Sequence, residues 1–210
     1  WACWKTYLGR PEGYVFRRCS LRVLGSVLSK PRPEEALPVL EAFLASARRY
    51  FGDDENIFGA QGDLAICLDG LGRHTEALGL MREMYARRLA IQGVSHEDTI
   101  LAGCNLANAL LKVGGWDESK KLLRERLLPV SRRSLGADHE MTLRLKTNLA
   151  AALQDNTLER TRDDLLEAET ILQEMFQRRR QVFGPAHPHT IHAEGALSTA
   201  RTKLLQRMHV

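Results

Sequence analysis

Leu135-Gly136, followed by Asn148-Leu149-Ala150 with its Leu thirteen residues beyond the Gly, is one copy of a pattern that runs along the whole chain. Leu8-Gly9, Phe51-Gly52, Gln92-Gly93 and Phe183-Gly184 hold the same place, and the Gly-to-Gly steps are 43, 41, 43 and 48 residues. Each Gly is followed, its Leu twelve or thirteen residues on, by a small-or-polar, Leu, small-or-polar triplet. The other four are Ser20-Leu21-Arg22, Asp63-Leu64-Ala65, Asn105-Leu106-Ala107 and Ala196-Leu197-Ser198. A period of this size marks a chain built by stacking one supersecondary unit. Such an array offers a long surface for grasping another chain and does not by itself supply a reaction centre.

A second small position follows the first. Ala77 and Ser119 each lie thirteen residues beyond the triplet Leu, and each follows a Glu in a Gly-containing turn, Gly70-Leu71-Gly72-Arg73 or Gly114-Gly115-Trp116-Asp117. Glu35-Ala36 repeats this two residues late and Glu167-Ala168 six residues late. Small residues at matched positions let two helices approach closely while Leu fills the seam. Each unit therefore reads as helix A, turn, helix B, with the next Gly closing helix B as a C-terminal cap.

The composition agrees. The chain is 27% charged and 44% hydrophobic, and its 210 residues can bury a continuous core. Apolar residues recur three and four apart, as in Leu101, Cys104, Ala107 and Leu111, which is helical spacing. No stretch approaches the length of a membrane span, so no bilayer insertion is expected. The sequence opens on Trp1 and not Met, as expected of a fragment of a longer protein. Cys3, Cys19, Cys67 and Cys104 show no metal-type pairing; the expectation is small core or groove residues kept reduced in a cytoplasmic protein.

Gly136-Ala137-Asp138-His139-Glu140-Met141-Thr142 with Asn148-Leu149-Ala150, and Gly184-Pro185-Ala186-His187-Pro188-His189-Thr190, resemble the tetratricopeptide repeat of the kinesin light chain type. That resemblance implies units of about 42 residues, with a G-x-x-H-P-x-T-like lead-in, an N-L-A in helix A and an E-A in helix B. The implied fold is all-α, a right-handed α-solenoid of stacked antiparallel helix pairs. Expected units are about 9–51, 52–92, 93–135 and 136–183, with a terminal helix at 184–210 and residues 1–7 as the tail of a preceding helix B. Gln92-Gly93 departs from the usual apolar-Gly pair, and the unit at Gly136 carries an insertion around Asp155 to Asp164. Pro31 and Pro33 mark a turn, Pro38 falls near a helix start, and Pro129 predicts a kink near Leu127 or Leu128.

By the same resemblance helix A lines a concave groove. The residues implied to face it are Gly59, Asp63 and Ile66, then Leu101, Asn105, Asn108 and Lys112, then Arg144, Asn148 and Ala151, then His192, Ala196, Thr199 and Lys203. An Asn amide carries donors and an acceptor, so it can pair with an extended peptide backbone of any sequence. Lys and Arg can meet acidic side chains. The expected partner-binding set is Asn105, Asn108, Lys112, Arg144 and Asn148, acting on a protein or peptide ligand, an extended segment of acidic or aromatic-acidic character. The bland alternative is that the Asn residues only bridge neighbouring helices. Asp63 and Ala196 stand where a chaperone-type carboxylate clamp needs amide or base, which argues against that clamp.

Two other patterns compete with the groove. Arg48-Arg49, Arg87-Arg88, Arg132-Arg133 and Arg178-Arg179-Arg180 end successive B helices, where cations offset the macrodipole. Stacked in register they would form a positive ridge, on a chain of net charge +4. No aromatic interleaving accompanies them, so nucleic-acid binding is not expected. His187, His189 and His192 lack a Cys or carboxylate nearby in sequence to complete a metal shell, and no metal or other cofactor is expected. No phosphate-cradling loop, activated nucleophile or paired acidic motif supports an enzyme. The sequence thus reads as an adaptor-like protein-interaction scaffold. The alternative is a regulatory or self-associating spacer beside an unseen catalytic or nucleotide-binding domain.

Overall fold

In the computed structural model the described residues are 11, 15–51, 55–154 and 161–208. They form helices and no strand: α1 (Val15–Leu28), α2 (Pro33–Phe51), α3 (Glu55–Gly70), α4 (His74–Gln92) and α5 (Glu97–Lys112) come first. Next are α6 (Trp116–Lys121), a π-helical turn (Leu122–Leu127) and α7 (Leu128–Ser134), which together make one B helix. Then follow α8 (Glu140–Leu153), α9 (Arg162–Phe183) and α10 (Pro188–Met208). The chain divides into two compact units, Trp1–Ala90 and Ile91–Val210. Gly9, Gly52, the expected helix tail at 1–7 and most of the insertion after Gln154 lie outside the described residues.

The repeat spacing acts at the seam between A and B helices. The triplet leucines Leu21, Leu64, Leu106, Leu149 and Leu197 are all buried, and so are the small B-helix residues Ala36, Ala77, Ser119 and Ala168. Ser119 shows how close the helices come, because its hydroxyl donates to the backbone carbonyl of Ala107 at 3.1 Å. In the first pair the small residue is on the A helix: a Cβ added to Gly25 would lie 2.5 Å from a methyl of fully buried Leu40. The late Ala168 still reaches the seam, since the Thr161–Asp164 capping box restarts the chain as α9 in time.

The lead-in works as a cap. His96, His139 and His187 each stand three residues after a repeat Gly, and each accepts a backbone N–H at Nδ1, from Asp98, Met141 and His189 at 3.2, 3.3 and 3.2 Å. Imidazole here does what a Ser or Asp oxygen does at most N-caps. The buried Thr142 donates to the Gly136 carbonyl at 2.8 Å, so the Ser131 hydroxyl 2.6 Å away must donate to it. That chain locks the start of α8 to the end of α7. Gly184 ends α9 at φ 83° and ψ 169°, a region essentially closed to residues with a side chain. Gly93 and Gly136 also have positive φ. In the A–B turn, Gly114 at φ 80° lets Gly115 N–H reach the Leu110 carbonyl, the long bond of a Schellman closure.

The prolines behave individually. Pro33 starts α2, which places Pro38 in its second turn, not at its start. The Glu34 carbonyl then lacks a helical donor, but both residues are exposed and water can supply one. Pro129 does not break its helix. The irregularity takes the form of the π turn just before it, where the Leu128 N–H bonds five residues back to Leu123. A wider turn moves carbonyls away from the proline ring.

The seam and the cap can each be tested by a melt. Leu149→Ala, at a site 2% exposed, is expected to cost about 2–5 kcal/mol in a denaturant melt; a near-neutral result would place the seam elsewhere. His139→Ala is expected to cost about 1 kcal/mol, with His139→Asn recovering most of it because Asn caps equally well.

Candidate functional site

The five residues expected to touch a partner all fall in the unit Ile91–Val210, on two A helices, α5 and α8, that pack directly together. Around α5 the positions Thr99, Ile100, Ala102, Gly103, Cys104, Leu106, Ala107 and Leu110 are buried. This leaves Leu101, Asn105, Asn108 and Lys112 as a partly exposed stripe with the three-and-four spacing of one helix face. Arg144 is exposed and Asn148 half-buried on α8.

Their side chains are not equally available. Asn148 donates through Nδ2 to the Cys104 carbonyl at 3.4 Å and to its sulfur at 3.3 Å, bridging α8 to α5 beside Asn105. The bridging role weighed for the Asn residues therefore accounts for Nδ2 of Asn148. Asn105 and Asn108 are half-buried, and their side-chain amides make no hydrogen bond to any described residue. Arg144 has no ion-pair partner among the described residues, although its charge is felt at Cys104. Burial pushes the Cys104 thiol up, and Arg144 and the Asn148 hydrogen bond pull it down only in part. Cys67 is likewise buried, donating to the Pro33 carbonyl, whereas Cys19 is exposed and is no core residue.

On α10, Lys203 donates to the carbonyl of Gln154, the C-cap of α8, at 2.8 Å. Of the residues in the other unit, Gly59 and Ile66 are exposed and Asp63 is half-buried.

The Arg clusters differ in what engages them. Arg87 pairs with Glu83 at 3.7 Å and Arg178 with Glu174 at 3.4 Å, both one turn back on their own helix. Arg48 also reaches Glu83, and Arg88 lies over the Phe58 ring. Arg178 further binds Asp138 at 2.5 Å, and Glu174 in turn neutralises the buried Lys146 at 2.8 Å. Arg132 and Arg133 remain exposed without ion pairs among the described residues. Where each Arg lands on the helix decides its fate. His187 is engaged as a cap and stacks on Phe183, with ring centroids 4.7 Å apart.

A cleft of about 460 Å³ opens between α8, α9 and the start of α10, and the repeat pattern does not announce it. Arg144 is the one expected partner-binding residue that lines it. Its trace in the sequence is slight. Five residues before the repeat Gly, Ser131 stands in one unit and Arg179 in the next.

Residues 142–189 match the tetratricopeptide repeat family. No curated protein matches the chain. Among solved structures, the nearly identical TPR-like repeats described as those of a kinesin light chain from Podosopora anserina superpose with a TM-score of 0.72 at 22% identity, covering 92% of this chain and 89% of that one. A point variant of the same repeats gives 0.74 at 21% identity, with 92% and 89% covered. BtubC (BKLC) from P. vanneervenii gives 0.60 at 16% identity, covering 98% of this chain and 86% of that one. The chain thus has the all-α helical-repeat fold of kinesin light chain TPR-like repeats. No described helix is long and apolar enough to cross a membrane.

Proposed function

We propose that the chain is an adaptor-like scaffold that holds an extended segment of a partner protein along the A-helix face of α5 and α8. The observation that supports this most is the pair of amides, Asn105 and Asn108, half-buried on that face and without intramolecular partners among the described residues. A half-buried amide left unpaired loses hydration without recovering a hydrogen bond, and an extended backbone offers both donor and acceptor to it. The exposed Arg144 guanidinium on the neighbouring helix adds a preference for acidic segments. Lys112 extends the same stripe one turn further. Asn148 contributes its Oδ1 while its donors hold α5 and α8 at a fixed spacing. No bond-making step is assigned to these residues. The matched repeat family fits the same reading, since stacked helical repeats serve as extended binding surfaces.

The test is capture from a random peptide library by the native chain and by three variants. Asn105→Ala combined with Asn108→Ala is expected to weaken captured peptides by about 1–3 kcal/mol. Arg144→Glu is expected to weaken acidic peptides further, with native affinity falling as salt rises. Arg132→Ser with Arg133→Ser is expected to change nothing. Loss of capture in that last variant alone would move the working surface to the B helices.

A further inference from the structure

We propose that Ser20 is a phosphorylation site for a protein kinase with an acidic substrate groove, and that the phosphate fastens α1, a helix the unmodified chain holds loosely. Three observations carry this.

The first is in the sequence. Arg17-Arg18-Cys19-Ser20-Leu21 is the one place in the chain where Arg-Arg-x is followed by a hydroxyl residue. Two guanidiniums at a fixed distance ahead of a hydroxyl suit carboxylate-lined subsites, and Leu21 suits an apolar one just beyond. Arg132 and Arg133 adjoin Ser134 directly, without that spacing.

The second is the make-up of α1. Acidic residues in the first turn and basic residues in the last, as the helix dipole favours, are present in α2, α5 and α9. α1 has neither, and its first turn holds Arg17 and Arg18 instead. Val15, Val23 and Val27 are poor helix formers, and so is Gly25, which the close packing of Leu40 requires. Val23 and Val27 are 63% and 66% exposed and add little burial. Among the described residues α1 packs on α2 and at fewer points on α3. It is held by that packing, with little support from its own sequence.

The third is the place of the hydroxyl. Ser20 is half-buried in the second turn of α1, and Leu21 beside it is buried in the seam. A kinase takes its substrate extended, so modification requires α1 to leave the seam, a local opening that its composition favours. Phosphoserine then carries a charge of about −1.5 to −2 near the positive end of the helix. Arg17, also half-buried, stands three residues earlier on the same face, a helical neighbour for the phosphate. The modification supplies the anion that the first turn lacks, and α1 closes more firmly than before. In the transfer, Ser20 Oγ attacks the γ-phosphorus of a nucleoside triphosphate bound to the kinase. The bond from that phosphorus to the β–γ bridging oxygen breaks, the nucleoside diphosphate leaves, and the hydroxyl proton passes to a carboxylate of the kinase.

The experiment applies the catalytic subunit of cyclic-AMP-dependent protein kinase, with magnesium ATP, to the full chain and to a peptide of residues 14–25. Mass-spectrometric mapping is expected to place the phosphoryl group on Ser20 in both. Ser20→Asn copies the Asn that α5 and α8 carry at this repeat position. It is expected to melt as the native chain does and to lose the label. Arg17→Ala with Arg18→Ala in the peptide is expected to slow labelling by about tenfold or more. Amide exchange over residues 15–28 is expected to slow in the labelled chain, with 97–112 unchanged. A labelled peptide beside an unlabelled chain overturns the opening of α1. Label elsewhere than Ser20, no label on either, or equal labelling of the peptide without its arginines overturns the site. Unchanged or faster exchange over 15–28 after labelling overturns the fastening.

Discussion

Each A helix meets its B helix over a small residue, and this close approach governs how the other parts of the array are placed. Ser119 reaching the Ala107 carbonyl, and Gly25 facing Leu40, show backbones near enough that one added methyl group meets a buried side chain. With that seam fixed, the roll of each A helix about its axis is fixed as well. Leu106 and Leu149 turn inward, and the stripe bearing Asn105, Asn108 and Lys112 is left facing away from the core. The surface assigned to partner binding is thus a by-product of packing, decorated by whichever residues the stripe carries.

Within the unit Ile91–Val210, the second requirement is that one helix pair be fastened to the next. Gly at the end of helix B and His at the start of helix A meet it together, one by accepting a positive φ and the other by accepting a backbone N–H. Thr142 and Ser131 then fasten the join from inside. The joins differ: Arg179 stands at the α9–α10 join where Ser131 stands at the α7–α8 join, and the buried Thr190 hydroxyl has no hydrogen-bond partner among the described residues.

Volume and backbone constraints were the legible part of the sequence. A leucine, a small residue and a glycine at fixed spacing have few structural solutions, which is why the helical repeat could be read from Leu106, Ser119 and Gly136. Polar fates were harder to read. Nothing in the spacing tells whether an Asn amide turns out to solvent or back to a neighbouring carbonyl, and Asn148 commits its donors to Cys104. The Arg clusters look alike in sequence, yet a shift of one position separates Arg178, held by two carboxylates, from Arg179, which reaches the His189 carbonyl. Pro129 signalled irregularity, but the π turn that absorbs it depends on how the carbonyls before it relax.

Whether a partner lies on the A-helix face of α5 and α8 can be read by backbone amide chemical-shift mapping of the 23.7 kDa chain with a captured library peptide. If it does, the largest changes fall at residues 101–112 and 140–148. Changes concentrated at 116–134 and 162–178, with α5 and α8 undisturbed, would place the partner on the B helices and defeat the assignment.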